Sequence, residues 1–475
     1  MEVIRGPATL GQLDGRNLVA PRIAPALDPG FRPAALAAMR LSAAARESRS
    51  GRLIRLAIQQ PSGPVTHHEV WIHDRDHDAV TSRRLVEREL KFLLWSRGGS
   101  RAYVDGPESL TEALRRYYAE DPAGTFDART MSEIYGSRFE VVAARHEAFP
   151  SECGGSVALG GHFDGCRIGF DLGASDRKVA AVIDGSVVFT EESAWNPREH
   201  ADPAWHLEQI DESLRRAAEH LPRVDAIGGS SAGVFVDNEP RVASLFRAVP
   251  AELFRSRVRH LFHELQRRWQ VPLVVVNDGE VTALAGAMIA GAAPMLGIAM
   301  GSSEAAGYVA PDGGLTPWLN ELAFAPIDLS PASHRDEWSG DAGVGAQYFS
   351  QQAVARLLPV AGIEVPESLG QPEQLVELQR LMSGGDPRAR AVYETIGAYL
   401  GYGLLQYARF YRVKHLLILG RVMTGNGGDA ILDMAQQVLR AETPETADGF
   451  IFHTASERDK RHGQAVAAAS LPPRS

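Results

Sequence analysis

Residues 168–185, IGFDLGASDRKVAAVIDG, return in altered form at 297–313, GIAMGSSEAAGYVAPDG, and this repeat constrains the chain more than any other feature. The copies align without gaps: Gly169, Gly173, Ser175, Asp176, Asp184 and Gly185 fall on Gly297, Gly301, Ser303, Glu304, Asp312 and Gly313. Each reads as an apolar strand, a turn of small residues, a second apolar strand, and an Asp-Gly pair suited to a further hairpin. The pattern predicts two similar lobes.

A turn built from Gly173, Ala174 and Ser175 has little side-chain bulk, so its N–H groups can approach a phosphate. Asp171, ending the first strand, can hold a metal ion or its water shell. A plain tight hairpin has the same composition and remains an alternative for one copy alone. The second turn, Gly301, Ser302 and Ser303, makes a nucleotide clamp the natural reading of the pair.

At 475 residues, 44% hydrophobic and 23% charged, the chain has room for two or three domains and a sizeable core. The net charge is −10, and residues 1–166 carry 21 basic and 21 acidic side chains, so no basic face for nucleic acid is expected. Two cysteines, Cys153 and Cys166, are too few for a disulfide framework, and no export signal opens the chain; a cytoplasmic location is the default expectation. Cys153, His162 and Cys166 are spaced unlike a zinc knuckle and read as a loop with two inert thiols. The stretch between Glu280 and Glu304 is uncharged and long enough to span a bilayer, but its Ala, Gly and Pro294 fit a buried helix leading into a buried strand. No membrane partner is expected.

In chain order, residues 1–30 read as an extended arm. Residues 31–166 form a separate α+β unit: a helix over 33–46, strands at 53–59 and 67–73, a helix over 81–94 and a short strand at 101–104, ending in a Gly- and Ser-rich linker. That last helix, with Gly98-Gly99 and the strand, can be forced into the helix and wing of a DNA reader, but neutral charge argues against it. The first lobe is expected over 167–290 and the second over 291–475. Residues 226–236, AIGGSSAGVFV, predict a strand breaking into a small-residue loop at Ser231 and Gly233, where a ligand hydroxyl can approach the backbone. A helix over 254–269 precedes an apolar strand, 272–276, that ends in Asn277-Asp278, the place where open α/β sheets put ligand chemistry; a helix N-cap by Asp278 is equally sound. Helices over 344–358, 373–382 and 389–409 lead to a strand at 415–419 and the turn GRVMTGNGG, whose Gly420 and Gly425 suit an adenosine lying against the backbone. A strand at 450–453 and a helix from 463 close the chain.

With these motifs placed, residues 167–475 resemble the ROK family of sugar kinases and sugar-responsive repressors. The resemblance implies an α/β, two-lobed actin- and hexokinase-like (ribonuclease H-like) ATPase fold; residues 31–166, read above as a small N-terminal α+β unit, match neither the family's winged helix nor any part of its kinases. DLGAS (171–175) is similar to the family's first phosphate motif, SSAGVFVD (230–237) to its sugar-side loop, and PLVVVNDGEVTAL (272–284) to the strand with the catalytic aspartate. MGSSEAAG (300–307) takes the second phosphate motif, NELAFAPIDL (320–329) the sugar-binding and zinc-linked segment, and LILGRVMTG (417–425) the adenosine motif.

The activity implied by the resemblance is that of an ATP-dependent carbohydrate kinase using Mg²⁺. Asp278 is the expected base, Asp171 the metal ligand, and Gly173, Ser175, Gly301, Ser302, Ser303, Gly420 and Gly425 the nucleotide contacts. Ser231, Gly233, Asn277 and Glu321 are the expected sugar contacts. The partners implied are ATP, a sugar or polyol, and a second copy of the chain in a homodimer. Three departures matter: Glu304 brings negative charge to the second phosphate motif, Phe324 replaces a histidine, and Ala346 replaces a glutamate. Val344 stands where a zinc cysteine is usual, so no structural zinc is expected. A phenyl ring and a methyl in place of polar groups predict that plain glucose is a poor acceptor, one with a less polar group facing Phe324 a better one. The same departures leave a second reading open, a catalytically weak or inactive sugar sensor.

Overall fold

The apolar alternation of 53–59 and 67–73 becomes an antiparallel pair that opens the N-terminal sheet. The structure, a computed structural model, describes residues 18–73, 79–155, 157, 159–173, 175–366, 368–453 and 457–473. In chain order the N-terminal unit holds α1 (Ala34–Glu47), β1 (Gly51–Gln59), β2 (Val65–His73), α2 (Ala79–Arg97), β3 (Arg101–Asp105), α3 (Glu108–Glu120), α4 (Pro122–Tyr135) and β4 (Glu140–Ala143). Its sheet runs β2-β1-β3-β4, with only β3 and β4 parallel, because the α3–α4 crossover returns the chain in the same direction. Helices α3 and α4 and strand β4 lie beyond what the sequence pattern predicted.

This unit is not separate. From Leu85 to Arg97 every residue of α2 is buried, and Phe31, Ala35, Leu36 and Phe92 belong to the core of the second lobe. Charges buried in that way must be paired. Arg88 and Lys91 reach Asp341 of the second lobe at 2.7 and 2.8 Å, Lys91 also meets Asp127 of α4 at 3.0 Å, and Glu89 meets Arg409 at 2.6 Å. Burial alone would raise Asp341, but the Arg88 and Lys91 charges outweigh it and hold the carboxyl far below its usual range. Residues 18–30 of the expected arm are docked: the Ile23 N–H donates to Tyr402 and the Leu27 N–H to Thr395. Residues 1–17 lie outside the described residues.

The first lobe comprises β5 (Cys166–Leu172), β6 (Asp176–Ile183), β7 (Ser186–Ala194), α5 (Pro203–Ala218), β8 (Ala226–Ser231), β9 (Val234–Val236), β10 (Glu239–Val242), α6 (Ala251–Ser256), α7 (Leu261–Trp269) and β11 (Leu273–Asn277). Its sheet is ordered β11-β8-β5-β6-β7: β5 to β7 form an antiparallel meander, and β8 and β11 run parallel to β5. The helix expected over 254–269 is broken between α6 and α7 by a 3₁₀ turn at 258–260.

The second lobe adds α8 (Asp278–Ala290), β12 (Met295–Met300), β13 (Glu304–Val309), α9 (Gln351–Val360), α10 (Gln371–Ser383), α11 (Pro387–Tyr407), β14 (His415–Leu419), α12 (Asn426–Glu442), α13 (Pro444–Ala447), β15 (Ile451–His453) and α14 (Glu457–Ala469), on a sheet ordered β13-β12-β14-β15. The hairpins β5–β6 and β12–β13 realise the repeat. The third strand is β7 in the first lobe but only a bridge, Val309 to Leu315, in the second. Helix α8 and strand β12 fill the uncharged stretch as expected, and no helix among the described residues is long and apolar enough to cross a membrane. Two helices cross the expected boundary at 290: α8 packs on β12 and β13, while α14 returns to β5, β6 and β8. Glycine permits both approaches, since a Cβ built on Gly169 would overlap the Ala465 carbonyl of α14, and one on Gly307 the Gly279 carbonyl of α8.

Candidate active site

Parallel pairing of β5, β8 and β11 brings their carboxyl ends together. Asp171 stands beside Ser230, and Ser231 beside Asn277. Asp171 is buried and accepts a hydrogen bond from the Ser230 hydroxyl at 2.6 Å; burial pushes its carboxyl up to about 6, against that hydrogen bond and helped by the charge of Asp278. Lys178 pairs with Asp171 across the β5–β6 hairpin and holds Asp176 at 2.9 Å, a cation that the motif reading did not single out although the hairpin register places it. Ser231 is fully buried with its hydroxyl unpartnered.

The end of β11 corrects one sequence expectation. Asn277, not Asp278, caps α8: its side chain accepts the Gly279 N–H at 2.7 Å while its amide donates to the Gly233 carbonyl at 2.7 Å. Its extended ψ of 146° puts it just outside the helix, so Asp278 is the first helical residue. Burial raises the Asp278 carboxyl, against a hydrogen bond from the Gly279 N–H at 3.0 Å.

At the first turn the Gly173 N–H bonds the Asp176 carbonyl, and the Ser175 hydroxyl donates to the Asp176 carboxylate at 3.1 Å; Ala174 lies outside the described residues. At the second, the Gly301 N–H bonds the Ser303 carbonyl while Ser302 and Ser303 are exposed. Gly420, at a φ of 108°, packs on Met300 at the end of β12, so the adenosine and second phosphate motifs meet there, and Gly425 precedes α12 at a φ of 69°.

Glu304 does not face the turn it follows. It is buried inside the lobe, where Tyr407 donates to it at 2.6 Å and burial pushes its carboxyl up to about 8. The charge feared at the phosphate motif is therefore absorbed in the core. Phe324 likewise departs from expectation: its ring, half-buried, packs on Trp95 of α2 at 4.4 Å and Phe126 of α4 at 5.5 Å against the N-terminal core, and Ala346 is buried. The preference for a less polar acceptor therefore loses its stated cause. Glu321 is fixed by its N–H to the Trp95 carbonyl at 3.1 Å, and burial with the charge of Asp278 pushes it up to about 7. Burial takes Glu280 to about 8, with Asn320 hydrogen-bonded to it.

A cavity of about 330 Å³ adjoins these carboxylates, lined by Asn277, Glu280 and Glu321 and also by Gln60 and Tyr135 of the N-terminal unit. Nothing in the periodicity around 60 or 135 marks those two; Gln60 follows β1, where its amide donates to the Arg97 carbonyl at the end of α2, and Tyr135 ends α4. Between the segment 320–329 and Val344, Asp341 is tied to Arg88 and Lys91, and among the described residues no three His, Cys, Asp or Glu side chains are grouped to hold a metal.

Two lobes with a repeated hairpin and motifs at parallel strand ends define the actin- and hexokinase-like ATPase fold of the ROK proteins. No family model matches the sequence, and no curated protein matches it. Among solved structures the chain is similar to a ROK hexokinase from Thermus thermophilus (17% identity, TM-score 0.50, covering 64% of this chain and 96% of that one). It is also similar to a ROK family transcriptional regulator, a homologue of the E. coli MLC protein (18% identity, TM-score 0.52, 64% and 77%). The chain has a ROK-like fold.

Proposed function

We propose that the chain is an ATP-dependent kinase acting on a hydroxyl of a sugar or polyol. Both a hexokinase and a regulator share the fold, so the site must choose between them. The observation that carries the reading is Asp278, a half-buried carboxylate of raised pKa at the end of β11, electrostatically coupled to Asp171 on β5. A base of raised pKa is matched to abstracting a hydroxyl proton near neutrality. Asn277, Glu321 and the Ser231–Gly233 loop orient the acceptor. Phosphoryl transfer otherwise asks for positioning and charge stabilisation, the role of the turns at Gly173–Ser175 and Gly301–Ser303, with Gly420 and Gly425 beside the adenosine.

The residues present fit Mg²⁺. Asp171 is buried and, among the described residues, its carboxyl accepts one hydrogen bond, from Ser230, and a buried carboxylate gains from a cation; Mg²⁺ is commonly held by one or two carboxylates and the substrate's phosphates. When bound, it would neutralise phosphate charge. Asp278→Asn is the test: ADP formation across a panel of hexoses and sugar alcohols should fall by orders of magnitude, with ATP and acceptor binding within a few-fold. Unchanged turnover would sink the assignment.

One observation favours a sugar sensor as the second reading. The Asn277 side chain is already engaged at Gly233 and Gly279, and the histidine that the resemblance leads one to expect is replaced by Phe324, whose ring packs on Trp95, so one sugar contact is diverted and another is absent. Thermal stabilisation by a sugar, with none by Mg-ATP, would select it.

A further inference from the structure

The cavity beside Asn277 is divided chemically. Among its acidic and amide groups Asn277 adjoins Asp278 in the chain, Glu321 couples to Asp278 and Glu280 couples to Glu321, while Gln60, Asp237 and Asn238 supply the rest. Much of the remaining wall is apolar, and part of it comes from outside the two lobes: Leu159 from the linker and the ring of Tyr135 from α4 join Val276 of β11. Val276 is half-buried on a strand of a parallel pair, where side chains are usually closed on both faces, so the cavity leaves apolar surface uncovered. The linker is fixed there, since the Leu315 N–H donates to the Leu159 carbonyl at 3.3 Å. A volume of about 330 Å³ lies within the range of small-molecule sites.

We propose that this cavity receives an alkyl or aryl substituent joined to the acceptor sugar or polyol, and that Leu159 and Tyr135 determine specificity for it. The hydroxyl to be phosphorylated sits at Asp278, and the substituent extends along β11 beneath the linker. The proposal rests on the kinase reading for the first half of that sentence and on the cavity alone for the second.

The experiment compares parent sugars with their methyl, butyl and phenyl glycosides on the full chain, recording kcat/KM with Mg-ATP and the shift in melting temperature without it. Burial of each added methylene should raise kcat/KM by up to about fourfold. Leu159→Asp should bring the butyl-to-methyl ratio toward one, and Leu159→Ala should lower it by less, covering the case in which the charged variant does not fold. Turnover with a ratio of one in the unaltered protein, or a ratio that neither variant changes, overturns the cavity assignment and leaves the kinase standing. No turnover, but a butyl-selective rise in melting temperature lost in the variants, overturns the kinase and supports the cavity. Neither turnover nor stabilisation by any member overturns both.

Discussion

The phenol of Tyr407 donates to Glu304 across 2.6 Å in the interior of the second lobe, so a carboxyl at a phosphate motif is spent on holding α11 to β13. Glu304 has its folded pKa raised to about 8, and Glu280 and Glu321 follow to about 8 and about 7, all chiefly by burial. A group raised in the folded state contributes stability present below its unfolded pKa and lost as pH rises through the folded one. The unliganded protein should therefore weaken between about pH 5 and 8, by up to about 1.4 kcal/mol per unit per group. Glu304→Gln should flatten that slope in chemical denaturation; an unchanged slope contradicts the assignment.

The pH–rate profile carries the opposite sign. Asp278 must be ionised to accept a proton and its pKa is raised, so kcat/KM should fall on the acid side with an apparent pKa above the ordinary carboxylate range. An acid limb at about 4 would argue against Asp278 as the base.

Removing Asp341 takes away the one carboxylate that two buried cations share, leaving Arg88 with Glu87 and Lys91 with Asp127. Asp341→Ala should cost about 3–5 kcal/mol because Arg88 and Lys91 lose their shared partner, whereas Trp338→Ala, 74% exposed in the same loop, should change stability by under about 0.5 kcal/mol. The Asp341 pairing should also fail in acid, since a carboxyl depressed in the folded state gives stability that is lost as pH falls through that depressed value.

Restoring the family histidine should not restore a sugar contact. Phe324→His places a polar ring between Trp95 and Phe126, so melting temperature should drop and turnover on glucose should not rise. A gain in glucose turnover would show that the ring swings out to the acceptor.

Close packing gives a further check at Gly169. Gly169→Ala drives a methyl into the Ala465 carbonyl and should destabilise by about 1–3 kcal/mol, read as a lowered denaturation midpoint, while alanine at Gly155, with nothing within 4 Å, should be nearly neutral.

The repeat at 168–185 and 297–313 made the lobes legible because hairpins are local: turn and alternation are written in adjacent residues. The places of Asp171 and Asn277 were legible for a related reason, as each lies at the end of an apolar run that forms a strand, while Asp278, open to reading as the cap, begins α8 instead. What stayed hidden is what distant segments decide. Asn277 took the cap because of its backbone angles, Glu304 turned inward because Gly345 leaves room and Tyr407 waits there, and Phe324 turned toward Trp95 because α2 lies against it. Helix α3 went unread although Leu110, Leu114, Tyr117 and Tyr118 mark one buried face, whereas α4 lacked a strong pattern, and with it Tyr135 at the cavity was missed.

Arg88 meets its carboxylate partner 253 residues further along the chain. At roughly 5–20 residues per second of synthesis, Asp341 leaves the ribosome about 13–50 s after Arg88 and Lys91. Through that interval the nascent α2 has Glu87 and then Asp127 for its cations but not the carboxylate they share, and its Phe92 lacks Tyr407 and Phe410, so this side of the helix stays wet until the second lobe arrives to close over it.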